Sequence, residues 1–375
     1  IPQMIGSDIG CGVGGYKLNL KVDELEEFLP KLEKIIREFV PTGKNYNRHH
    51  AEIIVDNLYG GNAKIFIEKL KCYNSIREKE KIELGIGTMG SGNHFIEIGK
   101  DEEGYVWVFT HAGSRKLGAE INKYYYNLAV SCCQGKNLRR KKQEELAQEL
   151  KLQGREKEIQ ERIIELRKKW DKKQFHFPKE MSYLMGKNAR DYKHDVEIAS
   201  KYAEYNRQEI LDMVTLAVEL VVRKEVDIIQ KIDTSHNYIK KDIIRKGAIY
   251  APKNKTVLIP LNMRDGIILA KGKGNVDWNY SAPHGAGRLY SRGEAFKKFN
   301  SEEGMKQYKQ SMSGIYTTSI VPSVIDESPM VYKPMEDILN RIQDTVDVIK
   351  IIKPIINIKD TVDNSFHISK GGTKQ

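Results

Sequence analysis

The chain has 375 residues, of which 40% are hydrophobic and 30% are charged, an ordinary mixture for a soluble protein. No apolar run approaches the ~18 residues of a membrane span, no signal peptide is visible, and four cysteines in so long a chain exclude a disulfide framework, so we expect a reducing, cytoplasmic location. The net charge of +11 and the pI of about 9.1 favour polyanionic partners, nucleic acid first, although solubility alone could explain them.

Helical and strand-like segments alternate along the chain. Residues 23–40 predict an amphipathic helix, residues 105–109, 256–259 and 266–270 predict strands, and residues 181–222 predict a second helical stretch. After Arg223 the pattern returns to strands and loops. Because nothing marks a domain boundary, we predict one α/β (α+β) domain over residues 1–375, with central β-sheets flanked by helices.

Residues 136–173 differ from the rest in their density of Lys, Arg, Glu and Gln. Their sparse apolar residues (Ile159, Ile163, Leu166 and Trp170) fit a helical hairpin with one thin buried stripe, broken near Gly154. We therefore assign residues 136–175 as a charged helical hairpin inserted in the domain. Charge runs usually face water, so a solvated insertion is favoured over an arm that touches RNA or a partner.

Five segments share one feature: an apolar run ends in a Gly- or Ser-containing loop that carries a metal-binding or nucleophilic side chain. Such loops commonly hold functional groups on a rigid scaffold. Their glycines let a phosphate or a metal approach the backbone. The segments are Ser7–Gly12, Gly87–His94, Thr110–Arg115, Thr234–Asn237 and Pro283–Arg288.

The first four loops offer metal ligands. Asp8 and Cys11 present a carboxylate and a thiolate in one Gly-rich turn, and His94, His111 and His236 add imidazoles. This mixed set suits Mn²⁺ or Zn²⁺ and argues against Mg²⁺ or Ca²⁺, which prefer oxygen ligands. Any one of these histidines alone is more often an ordinary polar residue near a strand end, and Cys11 alone is more often a buried apolar residue. The recurrence of the loop type favours the metal site.

His284 in the fifth loop is the best candidate nucleophile. A neutral imidazole can attack phosphorus and form a phosphoramidate. Arg288, Arg292 and Arg115 could neutralise phosphate charge with forked hydrogen bonds. His284 could equally be another metal ligand, and local chemistry does not separate the two roles. The glycines at 87, 90 and 92 do not match a dinucleotide fingerprint, and no P-loop is present.

With these residues assembled, the sequence resembles the RtcB family of RNA ligases over most of its length. Seven strings in the family's order carry the resemblance, and together they are highly specific. They are Asp8-Ile-Gly-Cys11-Gly, Gly90-x-Gly-Asn93-His94-Phe-Ile-Glu97, His111-Ala-Gly-Ser-Arg115, His236-Asn237, Arg245-Lys-Gly-Ala248, His284-Gly-Ala-Gly-Arg288-x-x-Ser291-Arg292 and Asp326-Glu327-x-Pro329-x-x-Tyr332-Lys333.

The resemblance implies a GTP- and Mn²⁺-dependent ligase that joins RNA 3′-phosphate or 2′,3′-cyclic phosphate ends to 5′-hydroxyl ends, in RNA repair or tRNA splicing. It implies that Cys11 bridges two Mn²⁺ ions, with Asp8 and His94 on one ion and His111 and His236 on the other. His284 would attack the GTP α-phosphate and become guanylylated. We expect a monomer, and an activating protein is a candidate partner.

The resemblance also implies a nucleotide pocket and a phosphate site. The nucleotide-binding residues would be Asn93, Phe95, Glu97, His236, Asn237, Pro260, Asn262, Met263, His284, Gly285, Ala286, Gly287 and Lys359. Arg115, Arg288 and Arg292 would grip phosphates.

Three departures from the family pattern affect these expectations. Residues 260–266 replace a Gly-Ser-Met turn near the nucleotide, and 16 residues follow the Lys359 position at which relatives often end. The family's upstream Pro-Asp-x-His string has no counterpart, so we expect either a divergent copy or a missing piece.

Two other functions are weighed: a two-metal phosphoesterase or nuclease that does not guanylylate His284, and a catalytically silent RNA-binding protein, which would need neither the thiolate nor the nucleophile.

Overall fold

A computed structural model describes residues 1–46, 63–173 and 178–361. Its strands are β1 Gly12–Lys21, β2 Phe95–Lys100, β3 Tyr105–Ala112, β4 Ile228–Ser235, β5 Asn237–Lys240, β6 Ile243–Lys246, β7 Ala248–Tyr250, β8 Thr256–Pro260, β9 Ile267–Gly272, β10 Ser281–Pro283 and β11 Val346–Ile358. Its α-helices are α1 Leu29–Phe39, α2 Ala63–Glu68, α3 Lys79–Glu83, α4 Arg115–Cys133, α5 Lys136–Leu152, α6 Ile159–Lys173, α7 Gly186–Val222, α8 Arg292–Phe299, α9 Glu302–Ser311 and α10 Met335–Ile342. Short 3-10 segments cover Pro2–Met4, Val22–Glu24, Glu26–Phe28, Tyr73–Ser75, Glu156–Glu158, Lys179–Met181, Val276–Trp278, Pro322–Glu327 and Pro329–Val331.

Seven strands form one antiparallel sheet in the order β4-β1-β3-β2-β11-β9-β8. The backbone N–H of Leu258 in β8 donates to Thr234 Oγ1 in β4 at 3.1 Å, so the two ends of the sheet meet and the sheet is strongly curled. Helices cover its outer surface, which confirms the predicted α+β class with a central sheet flanked by helices.

Alternation along the strands separates two apolar layers. Leu18 and Val108 face outward and pack with Ile210 and Val214 of α7, which lies with α1 on the outer face. The opposite residues fill the concave face, among them Val13, Trp107, Phe109, Ile232, Leu258 and Leu269. Gly15 is required here, because a Cβ at this position would lie 2.4 Å from the Phe109 ring.

Strand register brings four of the predicted loops to one end of the sheet. Gly12 pairs with Ala112 of β3 and also with Ser235 of β4. Cys11 directly precedes Gly12, and His236 directly follows Ser235, so the two residues lie side by side. The His236 N–H donates to the Cys11 carbonyl at 2.8 Å. His111 pairs with Phe95 of β2, which places His94 beside it.

Several predicted element boundaries were wrong. The helix predicted over residues 23–40 begins only at Leu29, because Pro30 suits the first turn of a helix and residues 22–28 form two 3-10 turns. The strands predicted at 105–109, 256–259 and 266–270 are present and end at Ala112, Pro260 and Gly272.

The strands and loops predicted after residue 223 did not include three short helices, α8, α9 and α10. Their start signals are in the sequence: Ser291 and Glu294 form a capping box at α8, and Ser301 caps α9. The long predicted helix over 181–222 begins at Gly186.

The charged segment contains the two helices α5 and α6, which pack on each other and are separated by a turn with Gly154 at φ +71°. Lys142 Nζ lies 5.5 Å from the Trp170 ring centroid, so the two helices run antiparallel. The assignment of residues 136–175 as an insertion in a single domain stays a prediction. Among the described residues, every helix falls short of the combined length and apolar character that a bilayer crossing requires.

Candidate active site

Five side chains from distant parts of the chain converge at this end of the sheet. Cys11 Sγ lies 3.4 Å from His94 Nε2 and 3.2 Å from His111 Nε2. His94 Nε2 also lies 3.1 Å from Asp8 Oδ2, and His111 Nε2 lies 3.2 Å from His236 Nε2. The ligand atoms of Cys11, His94 and His111 all lie within 4.8 Å of one another. We refer to these five residues as the donor cluster.

Backbone carbonyls orient two of the imidazoles. Nδ1 of His94 contacts the Met89 carbonyl at 2.9 Å, and Nδ1 of His111 contacts the Asn93 carbonyl at 3.2 Å. A carbonyl can only accept, so each Nδ1 carries a proton and donates it. In a neutral ring the lone pair then lies on Nε2, the atom that points into the cluster. This second contact is the usual way in which proteins orient a metal-binding histidine.

Burial sets the charge of the cluster. It lowers the pKa of His111 and of His236 well below the usual value, and neighbouring imidazoles lower both further, so both rings are neutral. Burial also raises the pKa of the Cys11 thiol, and Asp8 raises it further. For Asp8, burial alone would raise the pKa, but His94 outweighs it and the pKa is lowered. The thiol proton of Cys11 can satisfy only one of its two imidazole contacts.

The donor set fits a bound transition metal. Neighbouring ligand atoms of the cluster lie 3.1–3.4 Å apart, so a cation among them would be bound by several donors at once. A carboxylate, a thiol and imidazoles together match the preference of Mn²⁺ or Zn²⁺ rather than of Mg²⁺ or Ca²⁺. A bound cation would also offset the cost of ionising the buried thiol.

A cavity of about 450 Å³ opens beside the donor cluster. Most of the predicted nucleotide and phosphate residues line it, together with His111 of the cluster. These lining residues are Asn93, Phe95, Glu97, Pro260, Asn262, Met263, His284, Gly285, Ala286, Gly287, Lys359, Arg288 and Arg292. Its size is within the range of pockets for small organic ligands.

His284 lies between the cavity and the donor cluster. Its ring centroid is 4.8 Å from that of His236 at an interplanar angle of 59°. Burial lowers the pKa of His284, although the backbone of Gly247 opposes the shift, so the imidazole is neutral and nucleophilic near pH 7. Gly247 lies against this ring at φ +67°, where a Cβ would approach within 3.1 Å of it.

An anionic centre organises the cationic wall of the cavity. Glu327 accepts hydrogen bonds from Arg288 at 3.0 Å, Lys359 at 2.8 Å and Tyr332 at 2.7 Å, and pairs with Arg292 at 2.9 Å. Burial alone would raise the pKa of Glu327, but Lys359 and Arg292 lower it to about 2, so this carboxylate is ionised. Arg292 also pairs with Asp326. The two arginines are thus held in place with part of their guanidinium surface directed at the cavity.

Another part of the cavity lining is a carboxyl group that lacks part of its hydrogen bonding. Glu97 Oε2 accepts from Asn357 Nδ2 at 2.8 Å, whereas Glu97 Oε1 and Asn357 Oδ1 are buried with no partner among the described residues. Burial raises the pKa of Glu97 to about 8. Buried polar atoms without partners are rare, and in a cavity they are where a polar ligand can bind.

Three of the predicted nucleotide- or phosphate-binding residues do not line the cavity: His236, which belongs to the donor cluster, Arg115 and Asn237. Arg115 donates to Thr88 Oγ1 at 2.9 Å and to the Gly43 carbonyl at 2.6 Å, behind the Gly90 turn and His94. Asn237 donates to the Asp8 carbonyl at 3.2 Å and accepts from the Gly247 N–H at 3.2 Å. Both side chains hold the loops of the site in place, because their polar groups are used by the protein itself.

Sequence reasoning assigned no role to several residues that build the site. Glu327, Tyr332, Asn357, Leu261 and Gly266 also line the cavity. The string containing Glu327 and Tyr332 was a signal for the first two. Leu261 and Gly266 lie in the segment 260–266 that departs from the family pattern near the nucleotide. Asn357 carried no signal, because it lies in an ordinary apolar strand pattern.

Helix α7 supplies two further residues that fix the donor loops. Asn206 Nδ2 donates to the carbonyls of Thr88 and Gly113, at 3.2 and 3.0 Å. Arg207 donates to the carbonyls of Gly10 and Ala112, at 2.7 and 2.9 Å, and forms a two-bond pair with Asp233. Arg207 is fully buried, so it connects β1, β3 and β4 where the donor cluster begins.

Comparison with known proteins gives a consistent result. The family model described as tRNA-splicing ligase RtcB matches residues 1–360. The RNA-splicing ligase RtcB of Escherichia coli (strain K12) is 28% identical over an alignment that covers 96% of this chain and 83% of that protein. The tRNA-splicing ligase RtcB of Nanoarchaeum equitans is 25% identical, with 96% and 82% covered, and that of Pyrobaculum aerophilum is 25% identical, with 90% and 77% covered.

Proposed function

Because the chain belongs to the RtcB family of tRNA-splicing ligases, we propose that it joins RNA ends that carry a 3′-phosphate or a 2′,3′-cyclic phosphate to RNA ends that carry a 5′-hydroxyl. The reaction uses GTP and Mn²⁺ and passes through a covalent His284–GMP intermediate. RNA repair and tRNA splicing both produce such ends. The cysteine usage favours the cytoplasm as its location, and an activating protein stays a candidate partner.

One observation carries the proposal: His284 borders both the nucleotide-sized cavity and the donor cluster. A phosphoesterase would need the donors but would not need a neutral imidazole in the lining of a cavity that also contains two arginines. A silent RNA-binding protein would need neither. The placement of His284 therefore favours guanylyl transfer over the two alternatives.

In the first step, neutral His284 attacks the α-phosphorus of GTP. A P–N bond forms, the bond from the α-phosphorus to the bridging oxygen breaks, and pyrophosphate leaves with that electron pair. The ring nitrogen of His284 that does not attack gives up its proton or holds it on the adduct. Arg288 and Arg292 lie on the cavity wall where they can bind phosphate oxygens of the nucleotide or of the RNA end.

The cavity can also select the base. Asn357 Oδ1 is an unpaired acceptor, Glu97 Oε1 becomes one when the carboxyl ionises, and guanine presents adjacent N–H donors on its Watson–Crick edge. Adenine presents an acceptor at the ring nitrogen of that edge, so it would leave one of these buried oxygens unpaired. Lys359, held 2.8 Å from Glu327, is the cation on this side of the cavity.

The donor cluster would hold the manganese ions, with Cys11 between the pair formed by Asp8 and His94 and the pair formed by His111 and His236. When bound, such ions supply charge neutralisation for phosphoryl transfer. The protein's own contribution is to hold imidazole Nε2 atoms and a carboxylate in fixed positions beside His284.

The test is incubation with GTP radiolabelled at the α-phosphate and Mn²⁺, followed by a denaturing gel. We expect a labelled protein band that is lost in His284→Ala. A matched control is His194→Ala, a half-exposed histidine on α7 outside the cavity, which should label as the wild type does. Equal labelling of His284→Ala, or no labelling of the wild type together with cleavage of RNA, would support the phosphoesterase instead.

A further inference from the structure

The hairpin of α5 and α6 has a strongly unequal charge distribution. Its end next to α4 carries ten cationic residues and one acidic residue, Asp171. We call this the basic end. The cationic residues are Lys136, Arg139, Arg140, Lys141, Lys142, Arg167, Lys168, Lys169, Lys172 and Lys173. The far end, residues 151–162, has four cationic and three acidic residues and is nearly neutral.

Ion pairing follows the same division. At the far end Arg155 pairs with Glu158, and Arg162 pairs with both Glu158 and Glu165. At the basic end Lys142, Arg167, Lys168 and Lys169 are exposed, and no described carboxylate forms an ion pair with them. Arg140 and Lys141 pair only with residues of the next turn. A surface charged merely for solubility would mix the two signs, as the far end does.

The basic end has a fixed position relative to the catalytic site. Helix α4 begins at Arg115, two residues after Gly113, where a Cβ would lie 1.9 Å from Asp8 Oδ1 of the donor cluster. Its 19 residues span roughly 28 Å at 1.5 Å per residue, and α5 begins three residues after its end. The exposed Lys123 lies about midway along α4. A stacked nucleic-acid strand advances about 3.4 Å per nucleotide, so about eight nucleotides cover this distance.

We propose that the basic end binds the sugar–phosphate backbone of the substrate RNA about eight nucleotides from the junction being sealed. This inference rests on the proposed function, because it assumes that the RNA end is bound at the donor cluster. Lysine and arginine side chains on one helical surface contact phosphates without reading bases. The contact therefore selects RNAs by the number of nucleotides between the 3′ end and the basic end, and not by base sequence.

The test compares two variants that each remove three positive charges from the hairpin. The first is Arg167→Gln, Lys168→Gln and Lys169→Gln at the basic end. The matched control is Lys151→Gln, Arg155→Gln and Lys157→Gln at the far end. Glutamine has nearly the helix propensity of lysine and arginine, so both variants keep the helices. Binding of fluorescent RNAs of 5 and 20 nucleotides with a 3′-phosphate is measured by anisotropy with Mn²⁺ and without GTP, over a range of salt concentrations.

We expect the basic-end variant to bind the 20-nucleotide RNA about tenfold more weakly than the wild type, with the slope of log affinity against log salt reduced by about two. The 5-nucleotide RNA should bind all three proteins equally, and the control variant should match the wild type with both RNAs. Unchanged binding of the long RNA, equal weakening for both RNA lengths, or an equal loss in the control would each overturn the proposal.

Labelling of His284 with GTP needs no RNA and is measured on the same preparations. Wild-type labelling in both variants shows that the site is folded and tests the proposed function separately. Failure of labelling in the wild type would therefore refute the ligase chemistry, whereas failure of the length dependence would refute only the role of the basic end.

Discussion

At the scale of single residues, the site depends on close contacts that leave no room for change. Gly113 shows this most directly, because a Cβ at this position would lie 1.9 Å from Asp8 Oδ1 and 2.8 Å from Asp8 Cγ. The glycine is needed for space and not for backbone conformation, since its φ is not in the left-handed region. Asp8 can remain beside His94 only while position 113 has no side chain.

We expect Gly113→Ala to displace the Asp8 carboxylate and to lower Mn²⁺ affinity by at least about tenfold, the size of effect seen when ligand positioning is lost. Bound metal is measured by equilibrium dialysis with elemental analysis. Gly293→Ala is the matched control, because nothing lies within 4 Å of a Cβ there, and it should bind Mn²⁺ normally. Normal metal content in Gly113→Ala would contradict the placement of Asp8 in the metal site.

Glu97 predicts a specific dependence of stability on pH. Its pKa in the folded protein is about 8 because of burial, against an ordinary value of 4.5. Between these values the folded state holds a proton that the unfolded state has lost, so the free energy of unfolding falls as pH rises through this window.

Glu97→Gln should remove this dependence, because the amide does not ionise. Relative to this variant, the wild type should lose on the order of 4 kcal/mol between pH 4.5 and pH 8. Urea unfolding of the nucleotide-free proteins across this range measures the difference. Parallel curves for the two proteins would show that Glu97 is already ionised in the folded state at low pH.

At the scale of elements, α7 is the scaffold of the site. This 37-residue helix packs against the outer face of the sheet and uses Asn206 and Arg207 to reach through to the loops that carry the donors. Arg207 reaches two carbonyls and a carboxylate with one planar group. A lysine has a single nitrogen and cannot form the same set of contacts.

Arg207→Lys should therefore leave at least one buried carbonyl unpaired and destabilise the fold by about 2–4 kcal/mol. It should also lower Mn²⁺ occupancy, because Gly10 and Ala112 adjoin Cys11 and His111. Thermal unfolding and metal analysis test both effects. Lys201→Gln, an exposed change on the same helix, should alter neither. Full metal occupancy in Arg207→Lys would mean that the donor loops hold their positions without α7.

At the scale of the whole molecule, the donor cluster connects segments that are up to 228 residues apart in the chain, from Asp8 to His236. A ligand that binds only when these segments are assembled must stabilise the assembled state by mass action. The stabilisation is about 2.7 kcal/mol at a free concentration one hundred times the dissociation constant.

Mn²⁺ should therefore raise the melting temperature of the wild type by a few degrees. The same concentration of Mg²⁺ should raise it much less, because the cluster is not an all-oxygen site. Cys11→Ala should lose most of the Mn²⁺ effect, and undiminished metal content in that variant would contradict the bridging role of the thiolate. Differential scanning calorimetry with and without a chelator measures each case.

The sequence by itself determined the chemistry of the site. Several Gly-rich loops carry residue types such as Asp8, Cys11 and His284, this recurrence predicts a site, and the strings around these residues identify the family without any coordinates. Binary patterns also gave the class of the fold and the strands near residues 105, 256 and 267. They did not give the boundary at Leu29 or the short helices α8 to α10. These helix starts are set by single capping residues and prolines, and such local signals are hard to recognise in segments that mix polar and apolar residues.

Only the tertiary structure decided which polar groups are free to bind a ligand. Arg115 and Asn237 have the chemistry of ligand-binding residues, but hydrogen bonds to Gly43, Thr88, Asp8 and Gly247 use their polar groups. Asn357 lines the cavity because strand register pairs it with Glu97, and Glu327 lines it because the buried 3-10 segment Pro322–Glu327 ends there. The physical reason is that a side chain's function depends on what is left unpaired after folding, and this is a property of contacts between segments that no local sequence pattern contains.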